Sequence, residues 1–413
     1  MFGIDRHETK TGDAVSDHEE TNEEGFNTRA ARTWSDGERR SRPMSVPIVQ
    51  ASTFEASSSE ALADEYRSRG PGLYTRFGNP TTDEAGAKIA DLERAEAGLV
   101  FASGMAAITT SLLAVLRPGA HVVAQRDIFA QTYTFFDRIA PNFGVEVSFV
   151  DATDLAEIRA AAREDTELFY IETPSNPLIK IVDVEGAVSI AREHDALLFV
   201  DATFASPAIQ STIGLGADLA IHSATKYLAG HSDLMAGAVA GSRSLVEKIK
   251  EMQIQLGGVM DPHAAWLLLR GIKTLGVRVE RQSATALAMA RHLESRPEIS
   301  RVNYAGLKSS PYYELARRQM RAGGGVFSFE VDGGLEAARA FIEAFRTIPI
   351  ATSLGGVETL TEIPAELDFG EEEFGDDHAE TGITPSLIRI SVGLEDEVDL
   401  IADLDRGLRA IAR

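Results

Sequence analysis

No cysteine occurs in the 413 residues, which excludes disulfide stapling, thiolate catalysis and cysteine-ligated metal sites. No other metal site is expected. Lysine is sparse (Lys10, Lys88, Lys180, Lys226, Lys248, Lys250, Lys273 and Lys308), and 40 basic residues face 63 acidic ones, for a net charge of −23. That charge opposes binding to nucleic-acid phosphates and to anionic lipid, so neither is an expected partner. An acid excess with few lysines is the composition of a halophilic protein, in which counterions screen the self-repulsion. Long apolar runs are missing too: charge or glycine interrupts each stretch before it could span a bilayer, and Met1 to Lys10 carries charges where a signal peptide needs apolar residues. A cytoplasmic location is expected.

What is present is enough apolar residue, 44% of the chain, for a substantial core in two or three domains. Residues 1–42 are polar and acid-rich without an apolar period, and read as a mobile leader. Residues 43–81 form an ordered arm ending in the turn-rich Tyr74-Thr75-Arg76-Phe77-Gly78-Asn79-Pro80-Thr81. From 82 to 263 short apolar runs alternate with amphipathic stretches, the pattern of a mostly parallel sheet covered on both faces. Residues 264–413 open with a linking helix around Ala264 to Ala290 and continue as a smaller α+β domain, with strands at Val326–Val331 and Leu387–Val392 and helices at Leu335–Phe345 and Glu397–Ile411. The fold class is therefore α/β with a smaller C-terminal domain.

Ligands of an open parallel sheet bind outside the carboxyl ends of its strands, so the residues after each apolar run hold the interest. Leu99-Val100-Phe101 is followed by Ala102-Ser103-Gly104-Met105, a tight turn opening a helix whose free N–H groups suit a phosphate; ordinary packing is the plainer use of such small residues. Leu168-Phe169-Tyr170-Ile171 is followed by Glu172-Thr173-Pro174-Ser175-Asn176-Pro177, in which two prolines fix a loop around an asparagine donor. Leu197-Leu198-Phe199-Val200 ends in Asp201, either a cap or local ion pair, or a buried acid in need of a cationic partner.

The fourth end follows Leu219-Ala220-Ile221 and reads His222-Ser223-Ala224-Thr225-Lys226-Tyr227. A lysine amine there can bond an aldehyde cofactor, with the hydroxyls of Ser223 and Thr225 at its phosphate. Pyridoxal phosphate needs a carboxylate opposite its pyridine nitrogen, and Asp201 suits. A solvated surface lysine is the usual alternative, but four such ends together favour the cofactor.

With these motifs the sequence resembles the cysteine/methionine-metabolism family of fold-type-I pyridoxal 5'-phosphate enzymes, which includes cystathionine γ-synthase, cystathionine γ-lyase, methionine γ-lyase and O-acylhomoserine sulfhydrylase. The resemblance runs from about Pro43 to the C-terminus and adds Leu267-Leu268-Leu269-Arg270-Gly271-Ile272-Lys273-Thr274-Leu275, Ser353-Leu354-Gly355-Gly356 and Ile388-Arg389-Ile390-Ser391-Val392-Gly393. It implies that Lys226 is the Schiff-base lysine and proton shuttle, that Asp201 pairs with the pyridine nitrogen, and that Gly104, Met105, Ser223 and Thr225 hold the phosphate. Asn176 is implied at the ring hydroxyl, and Ser353 with Arg389 at the substrate carboxylate. Tyr74 and Arg76 complete the neighbouring subunit's phosphate site, which implies an obligate dimer with shared active sites, usually paired into a tetramer.

Departures bear on the reaction. Within Asp127-Ile128-Phe129-Ala130-Gln131, Phe129 replaces the family's ring-stacking tyrosine, so stacking survives and the phenol's acid/base role is lost. Gln131 stands where methionine γ-lyases carry cysteine, and Thr352 where cystathionine-handling relatives often carry glutamate. The usual His-Pro-Ala and Thr-His segment is replaced by Glu362-Ile363-Pro364-Ala365-Glu366-Leu367-Asp368-Phe369, and Ala202 replaces a common asparagine. The expected activity is γ-replacement or γ-elimination on a small amino acid, most like cystathionine γ-synthase acting on an O-acylhomoserine, with O-acylhomoserine sulfhydrylase or cystathionine γ-lyase as alternatives. A pyridoxal-phosphate-binding regulator without turnover has little reason to keep Arg389.

Overall fold

The computed structural model describes residues 24–33, 43–70, 72–368 and 382–412. Seven strands form the larger sheet: β1 (Ala97–Phe101), β2 (His121–Gln125), β3 (Glu146–Val150), β4 (Thr166–Glu172), β5 (Leu197–Asp201), β6 (Leu219–His222) and β7 (Gly237–Gly241). Their order is β1-β7-β6-β5-β4-β2-β3, and β7 alone runs against the rest. The mostly parallel sheet expected from the alternating pattern is present.

Alternation along the strands explains why both faces are covered. Leu168, Tyr170, Phe199 and Leu219 pack with Ile108, Leu112 and Ile249 from two helices on one face. Phe169, Leu198 and Val200 pack with Val184 and Ile190 on the other. At the β1 edge the helix Pro80–Glu93 lies almost on the strand's backbone, where a Cβ on Gly86 would fall 2.6 Å from the Gly98 carbonyl oxygen. Two glycines facing each other permit that approach.

The smaller sheet is wholly antiparallel, in the order β10 (Leu360–Glu362), β11 (Leu387–Ser391), β9 (Val326–Val331), β8 (Ile299–Asn303). Helix Glu397–Ile411 presents Leu400, Leu404 and Leu408, spaced four apart, to Phe329, Phe341 and Ile390. The linking helix expected around 264–290 is two helices, Pro262–Ile272 and Leu275–Glu294. Arg278, buried in the second, donates to the Gly271 and Tyr227 carbonyls at 3.0 and 2.9 Å. It ties that junction to the loop carrying Lys226.

The mobile-leader reading of 1–42 does not hold for 24–33. Helix Phe26–Ala31 buries Ala30 in the core, and the buried Lys88 ammonium donates to the Arg29 carbonyl at 2.8 Å. The remaining leader positions lie outside the described residues. Six residues with a single buried alanine carry too weak an apolar pattern to register in sequence.

Candidate active site

The carboxyl ends of β1, β4, β5 and β6 converge as their parallel register requires. Lys226 sits in the loop between β6 and the reversed β7, so both ends of that loop open on the same sheet edge. Thr225 closes the loop, its hydroxyl donating to the Ala236 carbonyl at 3.1 Å and accepting the Ala236 N–H at 2.8 Å. These two bonds place the Thr225 hydroxyl within the same loop as Lys226.

Gly104 and Ser223 meet at the turn after β1: a Cβ on Gly104 would stand 2.9 Å from both Cβ and Oγ of Ser223. Ser103 caps the helix Gly104–Val115 by accepting the Ala106 N–H at 3.1 Å. A helix N-terminus opening on glycine presents free N–H groups and a favourable dipole to an anion such as phosphate.

Ser223 is also wired to Asp201. Its N–H donates to Thr203 Oγ1 at 2.8 Å, and that hydroxyl donates to Asp201 Oδ1 at 2.6 Å. Asp201 is buried and stands in register with Glu172 across β4 and β5. Burial pushes both carboxyls up, Glu172 well above the usual range, with Asp201's charge adding to its shift. Two adjacent buried acids can accommodate a cationic ring nitrogen or another positive group.

Glu172 does further positioning that the sequence alone did not reveal. One oxygen accepts the Phe129 N–H at 2.8 Å and the other the Asn176 N–H at 3.0 Å. Phe129 is thereby fixed at the site's rim with its side chain still open to solvent. Asn176 turns its carbonyl oxygen to Arg389 Nη1 at 3.0 Å.

Lys226 Nζ donates to Ser353 Oγ at 2.8 Å, a contact between the two sheets' domains. Burial first, and the Arg389 charge second, hold its ammonium below the ordinary lysine range, while Glu362 opposes the shift. Arg389 is buried, donates from Nη2 to the Ser353 carbonyl at 2.8 Å, and pairs with Glu362 at 2.8 Å. Ser353 holds a left-handed backbone, φ +86°. A cavity of about 630 Å³ opens beside it, lined in part by Thr225, Thr352 and Glu358.

Lys226, Asp201, Asn176, Ser223, Gly104, Phe129, Ser353 and Arg389 therefore form one connected cluster, and Met105 follows Gly104 in the first turn of the helix beside it. Tyr74 and Arg76 stand apart, lining a different cavity with Gln50, Val259 and Asp261. Arg76 Nη1 donates to the Ile254 carbonyl at 2.8 Å, and Tyr74 is 42% exposed. Thr203, Glu172, Glu362 and Arg278 carried no assigned role in sequence, because their roles depend on how the folded chain places their side chains.

Comparison with known proteins places nearly the whole chain in a family. Residues 27–409 match the family model described as Cys/Met metabolism PLP-dependent enzyme. The chain is similar to cystathionine gamma-synthase 1, chloroplastic, of Arabidopsis thaliana, at 41% identity over 89% of this chain and 66% of that one. It is also similar to the L-methionine gamma-lyase of Pseudomonas putida, at 40% identity over 94% of this chain and 98% of that one. Among solved structures, cystathionine gamma-lyase from Lactobacillus plantarum, complexed with L-serine, superposes with a TM-score of 0.87 at 36% identity, over 94% of this chain and 100% of that one. The family match across nearly the whole chain and the cluster around Lys226 lead to one conclusion: this chain belongs to the pyridoxal-phosphate-dependent enzymes of cysteine and methionine metabolism.

Proposed function

We propose that this enzyme replaces the γ-substituent of an O-acylhomoserine with a thiol, as a cystathionine γ-synthase does. The observation that carries the reading is Phe129, fixed at the rim by Glu172 and without a proton to give. A leaving group that departs without help from a phenol should be a good one, and an acyl carboxylate leaves far more readily than a thiolate.

Pyridoxal phosphate, when bound, supplies the electron sink that makes the substrate's α- and then β-protons removable. Lys226 is the base: burial and the Arg389 charge lower its hold on a proton, and its amine can accept the α-proton and then work at the β-carbon. Ser353 and Arg389 hold the substrate carboxylate, and Asp201, steadied by Thr203, keeps the pyridine nitrogen protonated. Gly104, Met105, Ser223 and Thr225 hold the phosphate, completed by Tyr74 and Arg76 of a second copy of this chain.

The test is kcat/KM in one buffer for O-acetyl- and O-succinyl-homoserine with cysteine or sulfide, and for methionine and cystathionine. Ester replacement should exceed thioether elimination, and Phe129→Tyr should help elimination more. Efficient release of 2-oxobutanoate from cystathionine with negligible use of the esters overturns the proposal in favour of a γ-lyase. Use of sulfide in preference to cysteine selects the sulfhydrylase alternative.

A further inference from the structure

Arg389 is anchored by three separate pieces of chain before any substrate arrives: Nη1 by Asn176 Oδ1 from the loop after β4 and by Glu362 Oε1 from β10, and Nη2 by the Ser353 carbonyl. The Glu362 contact is a cross-strand one. Glu362 stands directly opposite Arg389 in the β10–β11 ladder, and the Thr361 hydroxyl donates to the Arg389 carbonyl at 3.1 Å. Both partners are buried, 8% and 5% exposed.

We propose that Glu362 is a positioning residue that aims the Arg389 guanidinium at the substrate carboxylate. It opens the segment whose departure from the family pattern the sequence left without a role. An arginine has many rotamers, and fixing its planar fork beforehand removes an entropic cost that the substrate would otherwise bear on binding. The pair is oriented by strand register rather than by a flexible loop, so the aim is set by the fold. Burial makes loss of the carboxylate costly, because the guanidinium then loses a charged partner in a poorly solvated place.

The inference rests on Arg389 meeting a carboxylate, so the test uses a ligand that does not react at its γ-carbon. The cofactor-loaded enzyme is titrated with L-norleucine and with L-norleucinamide, and binding is read from the change in visible absorbance. The ratio of the two dissociation constants measures carboxylate recognition apart from turnover. Glu362→Ala should reduce the wild-type ratio at least about tenfold, whereas Glu362→Gln, whose amide oxygen can still accept from Nη1, should stay within about threefold. If the alanine variant does not fold, Glu362→Leu replaces it with the same expectation. An unchanged ratio in the apolar variant, or equal losses with glutamine and the apolar residue, overturns the proposal. A wild-type ratio near one overturns it together with the role given to Arg389, and leaves the choice of γ-reaction to the product assays.

Discussion

Lys226 and Asp201 stood out in the sequence because Asp201 ends one apolar run and Lys226 lies in the short loop after another, and strand ends are where a parallel sheet gathers its ligands. Glu172 was equally visible as a letter, but its work of fixing Phe129 and Asn176 depends on the direction of two carboxylate oxygens. Asp201→Asn keeps an oxygen for Thr203 while removing the charge, and is expected to lower kcat by about 10²–10³ with the fold intact. The pH dependence follows from the raised carboxyls of Asp201 and Glu172. Without cofactor, the folded state keeps protons that the unfolded chain has lost above the ordinary carboxylate range. Stability therefore falls as pH rises through the raised values. A cationic pyridine relieves this, so the melting-temperature gain on adding pyridoxal phosphate should grow from about pH 5 to pH 8. A flat gain in wild type, or the same growth in Asp201→Asn, would refute the pairing.

Among the elements, Val326–Val331 and Glu397–Ile411 have the ends their apolar patterns indicated. Strand Gly237–Gly241 did not stand out, because Gly-Ala-Val-Ala-Gly has no bulky alternation, and its reversed direction rests on pairing that no local pattern encodes. The C-terminal helix contributes to the site indirectly. Its fully buried Asp403 accepts the N–H groups of Arg346, Thr347 and Ile348 at 2.9, 2.7 and 2.9 Å, clamping the start of the segment that leads to Ser353. Burial acts against its charge, yet those three bonds and Arg406 prevail and hold the carboxyl below its ordinary value. Asp403→Ala should cost about 2 kcal/mol in urea unfolding at pH 7. A depressed acid contributes its stability above the unfolded value of about 3.9 and loses it as pH falls through the folded one, so the difference from wild type should vanish in acid. A difference that persists at low pH would show that lost packing, not charge, explains the cost.

At the scale of the whole molecule, Tyr74 and Arg76 lie away from the Lys226 cluster of their own chain, which supports the proposal that they serve a partner. Inactive Arg76→Ala and inactive Lys226→Ala subunits, mixed and reassembled, should recover about a quarter of wild-type activity if half the chains are each variant and sites are shared in dimers. Demonstrated heterodimers without recovery would refute sharing. The net charge of −23 leads to a second expectation: dilution into low salt lengthens the screening distance, and subunits should separate or release cofactor. Sedimentation over a salt series checks this, and an assembly indifferent to salt removes the halophilic reading while leaving the chemistry in place.

Ser353 keeps a backbone shape that suits glycine, φ +86°, while its hydroxyl accepts from Lys226. A non-glycine residue there gives up about 1–2 kcal/mol of strain. The serine codons AGU and AGC are a single base from glycine codons, so from either of them the relaxed alternative is within mutational reach. In a saturation library of this gene, sorting for folded protein should enrich glycine at position 353, while sorting for growth that requires the enzyme should deplete it. The opposed enrichments would mark a position where drift toward stability is held back by chemistry alone.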